Sequence, residues 1–188
     1  MKCTVWFDLP KALANLTQDI ITEKEKQHVE YLISIAKTIQ DEYDSLSSMC
    51  LNLTPSLDSS ELAAVKDKLN SINKERIDLV CKNIKISIQM ISKFLAYLET
   101  KKNPANEAET LLQIKLLMKI TRVFSSKAKE EITKSKIKKE KRFFNLILVY
   151  SEKTLNKLYE ISTNIVQNVM NKNIRIEESI NDKAIVQV

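Results

Sequence analysis

Residues 22–53, TEKEKQHVEYLISIAKTIQDEYDSLSSMCLNL, place apolar side chains at Val29, Leu32, Ala36, Ile39, Tyr43, Leu46, Cys50 and Leu53 in alternating steps of three and four. An α-helix brings such positions onto one stripe, and a heptad stripe of this length is buried by pairing with another helix. Thr22 and Glu25 stand at the spacing of a capping box, the Thr22 hydroxyl and Glu25 carboxylate each answering a backbone donor that the first helical turn leaves open. The pattern therefore predicts a long helix over residues 22–53.

Working outward, Pro55 disfavours helical geometry at Thr54, and Asp58-Ser59-Ser60-Glu61 supplies a second start signal. The helix predicted over 59–101 carries Leu62, Val65, Leu69 and Ile72, then slips one position to Ile77, Cys81, Ile84, Ile88, Ile91, Leu95 and Leu98. A slip of this kind alters the local winding of a helix pair. Lys101-Lys102-Asn103-Pro104 reads as a cationic helix end followed by an Asn cap and a proline in the next first turn. A third helix is predicted over 104–133, with Leu111, Leu112, Ile114, Leu116, Leu117, Met118 and Ile120 distributed all around it, as in an enclosed element.

A turn is expected between Ser125 and Lys138, where apolar periodicity thins, and a final helix over 138–170 with Phe143, Phe144, Ile147, Leu148, Leu155, Leu158, Ile161, Ile165 and Val169. Residues 171–188 read as a flexible tail and 1–21 as an arm, with a short helix over 9–20 that has Pro10 in its first turn. The expectation is one all-α domain: an elongated antiparallel helical bundle of about four long helices with coiled-coil-like seams, plus the short N-terminal helix.

Composition narrows the chemistry. The chain contains no glycine, and glycine supplies the positive-φ backbone of phosphate loops, dinucleotide turns and nucleophile elbows. Its one histidine, His28, sits three residues after Glu25. That is the spacing by which di-iron bundles place two ligands on one face, but no second histidine exists to complete such a site. These patterns predict no enzymatic activity, no cofactor, no metal and no small-molecule substrate. Cys3, Cys50 and Cys81 have no ligand spacing, and Met1–Pro10 lacks a long apolar stretch. They predict reduced thiols in an intracellular, cytoplasmic protein, although delivery into another cell without a cleavable signal is compatible with the same sequence.

Charge is uneven. Residues 1–61 carry a net −5, residues 62–145 a net +11 and residues 146–188 none. Within the basic part, Lys134, Lys136, Lys138, Lys139, Lys141 and Arg142 form a candidate anion-binding segment inside the lysine-rich stretch 127–142, suited to nucleic-acid phosphates or an anionic membrane surface. Lysine predominates, no aromatic residue is interleaved for base stacking, and Glu130, Glu131 and Glu140 are available to pair with neighbouring lysines. Trp6 and Phe7 in the N-terminal arm, with Phe143 and Leu146 at the head of the last helix, are the candidate protein-binding residues. They mark a partner site if Phe143 and Leu146 point outward while Phe144, Ile147 and Leu148 point inward. The leading functional expectation is a non-enzymatic protein-interaction or regulatory module that binds a partner protein through a helical face, with homodimerisation through the long seams. The alternatives are a phosphate-surface binder and a helical protein that inserts into membranes.

Overall fold

The computed structural model describes residues 4–53, 58–100 and 106–185. Among these residues the chain is all-α, with helices α1 (Thr4–Leu16), α2 (Glu23–Leu53), α3 (Ser59–Thr100), α4 (Glu107–Lys134) and α5 (Lys138–Ile185). It divides into two compact units, Met1–Phe94 and Leu95–Val188, whose boundary falls inside α3 rather than at a turn.

In the first unit α2 begins where its capping box predicts. The Glu25 amide donates to the Thr22 hydroxyl at 3.3 Å, while the Thr22 amide donates to the Glu25 carboxylate at 2.8 Å. Val29, Leu32, Ala36 and Leu46 of the seam are buried. α2 and α3 run antiparallel, because Glu25 pairs with Lys93 and Glu42 with Lys68, one pairing rising along the chain as the other falls.

The Lys93 ammonium, reinforced by the Thr22 amide, holds the Glu25 carboxyl down at about 2, against an ordinary 4.5. A carboxyl with a depressed folded-state pKa stabilises the fold above its unfolded value and loses that contribution as pH falls through the folded value. Glu25→Gln is therefore expected to cost stability at neutral pH, and the deficit should shrink between pH 4.5 and about 2. The loss stays small because the side chain is 40% exposed and water screens the pair. Thr22→Ala should cost about 1 kcal/mol at neutral pH, and part of that loss should persist once Glu25 is protonated, because the Thr22 hydroxyl also accepts from the Glu25 amide. Urea melts of both variants at several pH values check the two signatures.

α1 departs from the expected helix over 9–20. It starts earlier and continues through Pro10, which forfeits one backbone hydrogen bond at a typical cost of about 3 kcal/mol. The offset comes from Trp6, Leu9 and Leu13, which recur at helical spacing and are buried, with Thr17 and Ile21 extending the buried side past the helix end. Thr17 closes α1 by donating both its amide (2.9 Å) and its hydroxyl (2.7 Å) to the Leu13 carbonyl. α1 packs against α2.

α3 is unbroken across the predicted slip. Buried residues of both phases follow one another there, so the buried stripe widens. Ile84, Ile91 and Leu98 of the predicted row lie inside, and so does a second row of Ile72, Arg76, Leu79, Asn83, Ser87, Met90 and Phe94.

In the second unit α4 and α5 pack closely as an antiparallel pair. Lys172 pairs with Glu107 at 2.6 Å, and Arg122 donates to the Tyr159 hydroxyl. The α4 start differs from the expectation at Asn103-Pro104, which lies outside the described residues. The cap is Asn106, whose side-chain oxygen accepts from the Glu109 amide at 3.1 Å while its amide group donates to the Glu109 carboxylate at 3.2 Å. As at α2, the cap side chain accepts from the amide three residues on, but Glu109 answers the Asn106 side-chain amide rather than its backbone donor.

The turn falls at residues 135–137, within the predicted interval. Ser135 adopts an extended backbone (φ −71°, ψ 133°), and its hydroxyl accepts from the Ile137 amide at 3.1 Å and donates to Glu140 at 2.6 Å. Among the described residues no backbone has positive φ, so the connections seen here need no glycine. α5 continues past Met170 to Ile185, where a flexible tail was expected. Neither glycine nor proline interrupts that stretch, and its Glu, Lys, Arg and Ile residues sustain a helix after apolar periodicity has faded.

Candidate functional site

The Glu25 and His28 pair does not converge on a metal. Glu25 is committed to Thr22 and Lys93, and His28 is exposed. Among the described residues no three His, Cys, Asp or Glu side chains gather as metal ligands. Cys50 and Cys81 are half-buried thiols. An open groove of about 470 Å³ between α1 and α2 is lined by Lys11, Asn15, Lys26, Val29 and Glu30, a solvated mixture of both charges. No helix of the described residues is long and apolar enough to cross a membrane.

Trp6 is 1% exposed. Its ring belongs to the interior, which corrects the expectation of an accessible aromatic arm: the indole buries more apolar area as the first member of the α1 stripe than as a free contact. The Phe7 side chain lies outside the described residues. Phe143 is half-buried at the rim of the core, its ring set edge-on to Phe144 at 5.4 Å. Leu146 does point outward at 70% exposure, Phe144 and Ile147 point inward as anticipated, and Leu148 is only half-buried. Val149 continues the outward face.

The outward face of α4 was not anticipated. Thr110, Ile114, Leu117, Met118, Thr121, Phe124, Ser125, Ala128 and Glu131 are the buried residues of this helix. Leu112 (58%), Leu116 (45%) and Val123 (39%) are exposed on the opposite side. Apolar residues surround α4 in the sequence, the pattern of an enclosed helix. The structure instead gives it a second apolar stripe facing solvent. The spacing was legible, since Leu112, Leu116, Lys119 and Val123 step by four, three and four, but periodicity cannot say which stripe has a neighbour.

The lysine-rich segment resolves into the end of α4, the turn and the first turn of α5. Glu130 accepts from Lys127 at 2.5 Å and from Lys134, and the two ammonium groups hold its carboxyl down at about 2. Lys134 is thereby committed, its own pKa raised by Glu130. Glu131 turns into the interior, where burial pushes its carboxyl up. Glu140 accepts from Ser135. The three glutamates therefore engage only Lys127 and Lys134. Lys136, Lys138, Lys139, Lys141 and Arg142 are exposed and form no ion pair among the described residues. Ile137, at the apex between them, is 57% exposed. Comparison of the chain with protein families, curated proteins and solved structures finds no match.

Proposed function

We propose that this chain is a non-enzymatic, regulatory protein-interaction module whose docking face is the outward stripe of α4. The observation that carries the reading is Leu112, Leu116 and Val123, aligned on the side of α4 opposite its buried face. Large apolar side chains aligned on one exposed helix face mark an interaction site rather than the scattered apolar residues of an ordinary surface. Lys115, Lys119 and Arg122 are exposed beside and within the stripe. The occupant of best fit is therefore an amphipathic helix of another protein, with apolar anchors at steps of three and four and acidic flanks, completing a helix layer over α4.

The test compares the wild type with Leu112→Asp/Leu116→Asp, both residues being exposed so that thermal stability should be unchanged. A protein retained from source lysate by the wild type at about half-molar salt, where screening removes exposed ion pairs, and lost at least about tenfold by the variant supports the reading. Acidic flanks on the interacting helix of that protein support it further. Identical retention by both forms overturns it. Concentration-dependent sedimentation that the same substitutions abolish would identify a second copy of the chain as the occupant instead.

A further inference from the structure

A second surface, distinct from the α4 stripe, is built by the α4–α5 turn and the outward face of early α5. We propose that this surface, Lys136 to Val149, docks on anionic lipid headgroups, with Ile137 and Leu146 entering the headgroup boundary and Lys136, Lys138, Lys139, Lys141 and Arg142 contacting the acidic groups.

Two independent observations converge on lipid. The first is charge: all five cations are exposed, and none is neutralised by an ion pair among the described residues, because Glu130 engages Lys127 and Lys134 while Glu140 is turned to Ser135. Long lysine side chains reach a charged plane without needing the rigid geometry of a guanidinium fork. The second is apolar: Ile137 is 57% exposed at the apex of the turn, Leu146 is 70% exposed and Val149 48% exposed. In the helical projection Lys138, Arg142, Leu146 and Val149 all fall on the side of α5 away from buried Phe144, Ile147 and Ser151. Cations and aliphatic side chains exposed on the same side let this surface add electrostatic attraction to anionic headgroups to shallow apolar burial, the two contributions that set binding at a membrane interface.

A nucleic-acid groove uses the cations but gains nothing from exposed aliphatic side chains, and no aromatic ring stands among these cations to stack on a base. No helix of the described residues is long and apolar enough to cross a bilayer, so the proposal is one of surface docking.

Vesicle co-sedimentation of the full chain is the test, with phosphatidylcholine vesicles, the same vesicles carrying about 30 mol% phosphatidylserine, and a short DNA duplex and RNA strand as competitors. The expected result is binding to the anionic vesicles alone, weakening steeply as salt is raised. Lys136→Glu/Lys138→Glu/Lys139→Glu/Lys141→Glu should reduce it by at least about tenfold. Ile137→Ser/Leu146→Ser leaves charge unchanged and should reduce it several-fold. All six residues are exposed, and an unchanged thermal melt establishes that each variant is folded. Leu112→Asp/Leu116→Asp should bind vesicles like the wild type, which keeps this outcome separate from that of the α4 stripe. Absence of binding to anionic vesicles at low salt overturns the proposal. So does vesicle binding indifferent to Ile137→Ser/Leu146→Ser, or a nucleic acid that binds more tightly and is lost only on charge reversal.

Discussion

Trp6→Ala is expected to destabilise the protein by about 3–5 kcal/mol, the usual cost of truncating a large buried aromatic and leaving a cavity that the surroundings fill only in part. For a compact unit of about a hundred residues this lowers the thermal midpoint by more than about 10 °C. The prediction rests on Trp6 being 1% exposed at the head of a stripe that continues through Leu9 and Leu13. That stripe is also what offsets Pro10, so removing its largest member should free the first turns of α1 and raise amide exchange there before the rest of the unit opens. Trp6 is the only tryptophan, so its emission in the wild type reports burial directly. It should be blue-shifted when folded and should move to longer wavelength on unfolding. An unchanged midpoint for Trp6→Ala, or a solvent-like emission in the folded wild type, would return the ring to the surface and revive it as a partner contact.

The opposite sign is expected at Asn83. This side chain is fully buried in α3, and neither its amide nitrogen nor its oxygen has a hydrogen-bond partner. A buried polar group without a partner carries its whole desolvation cost, about 1–3 kcal/mol, and an apolar side chain of the same branching escapes it. Asn83→Leu should therefore raise stability by roughly that amount. Its backbone carbonyl, which accepts from Ser87 at 2.8 Å, is unaffected. Asn83→Ala makes the control, because it removes the unsatisfied groups but leaves a hole. A midpoint that falls for Asn83→Leu would contradict the packing described around α3. Arg76, also buried, is better served: it donates to Asn73 at 3.0 Å and lies 3.7 Å from the centre of the Tyr43 ring, so its charge has a face to rest on, while its Nε stays unpaired.

The legible parts of this fold are those in which one stripe has one partner. The α2 seam, its Thr22 cap and the interval of the α4–α5 turn follow from spacing, because a capping box and a thinning of periodicity are local signals. α3 was harder. A helix buried on a broad face shows two apolar phases in succession, which read as a slip, and the polar members of its second row, Arg76 and Asn83, break the pattern altogether.

The same ambiguity, inverted, hid the surface of α4: leucines all around a helix indicate burial only if neighbours cover every side, and nothing local counts neighbours. The fate of Trp6 depended on Pro10 being tolerated inside α1, a tertiary effect that overrides propensity. Asn106 is the cap of α4 through its bonds to Glu109, a role that spacing alone did not single out. Of the candidate sites, the lysine cluster was legible as charge. Which lysines are neutralised required the geometry of Glu130, Glu131 and Glu140.

The interior hydroxyls have a further bearing on how these helices recognise one another. Thr17, Thr121, Ser87 and Ser151 each donate to the carbonyl four residues earlier in their own chain segment, at 2.7 to 2.8 Å. Turned inward on their own backbone, they present a neighbour with a methyl or methylene edge and no directional demand. At such positions one helix is exchangeable for another of similar contour without stranding a donor. The grammar of contact there is one of outline and volume rather than of paired donors and acceptors.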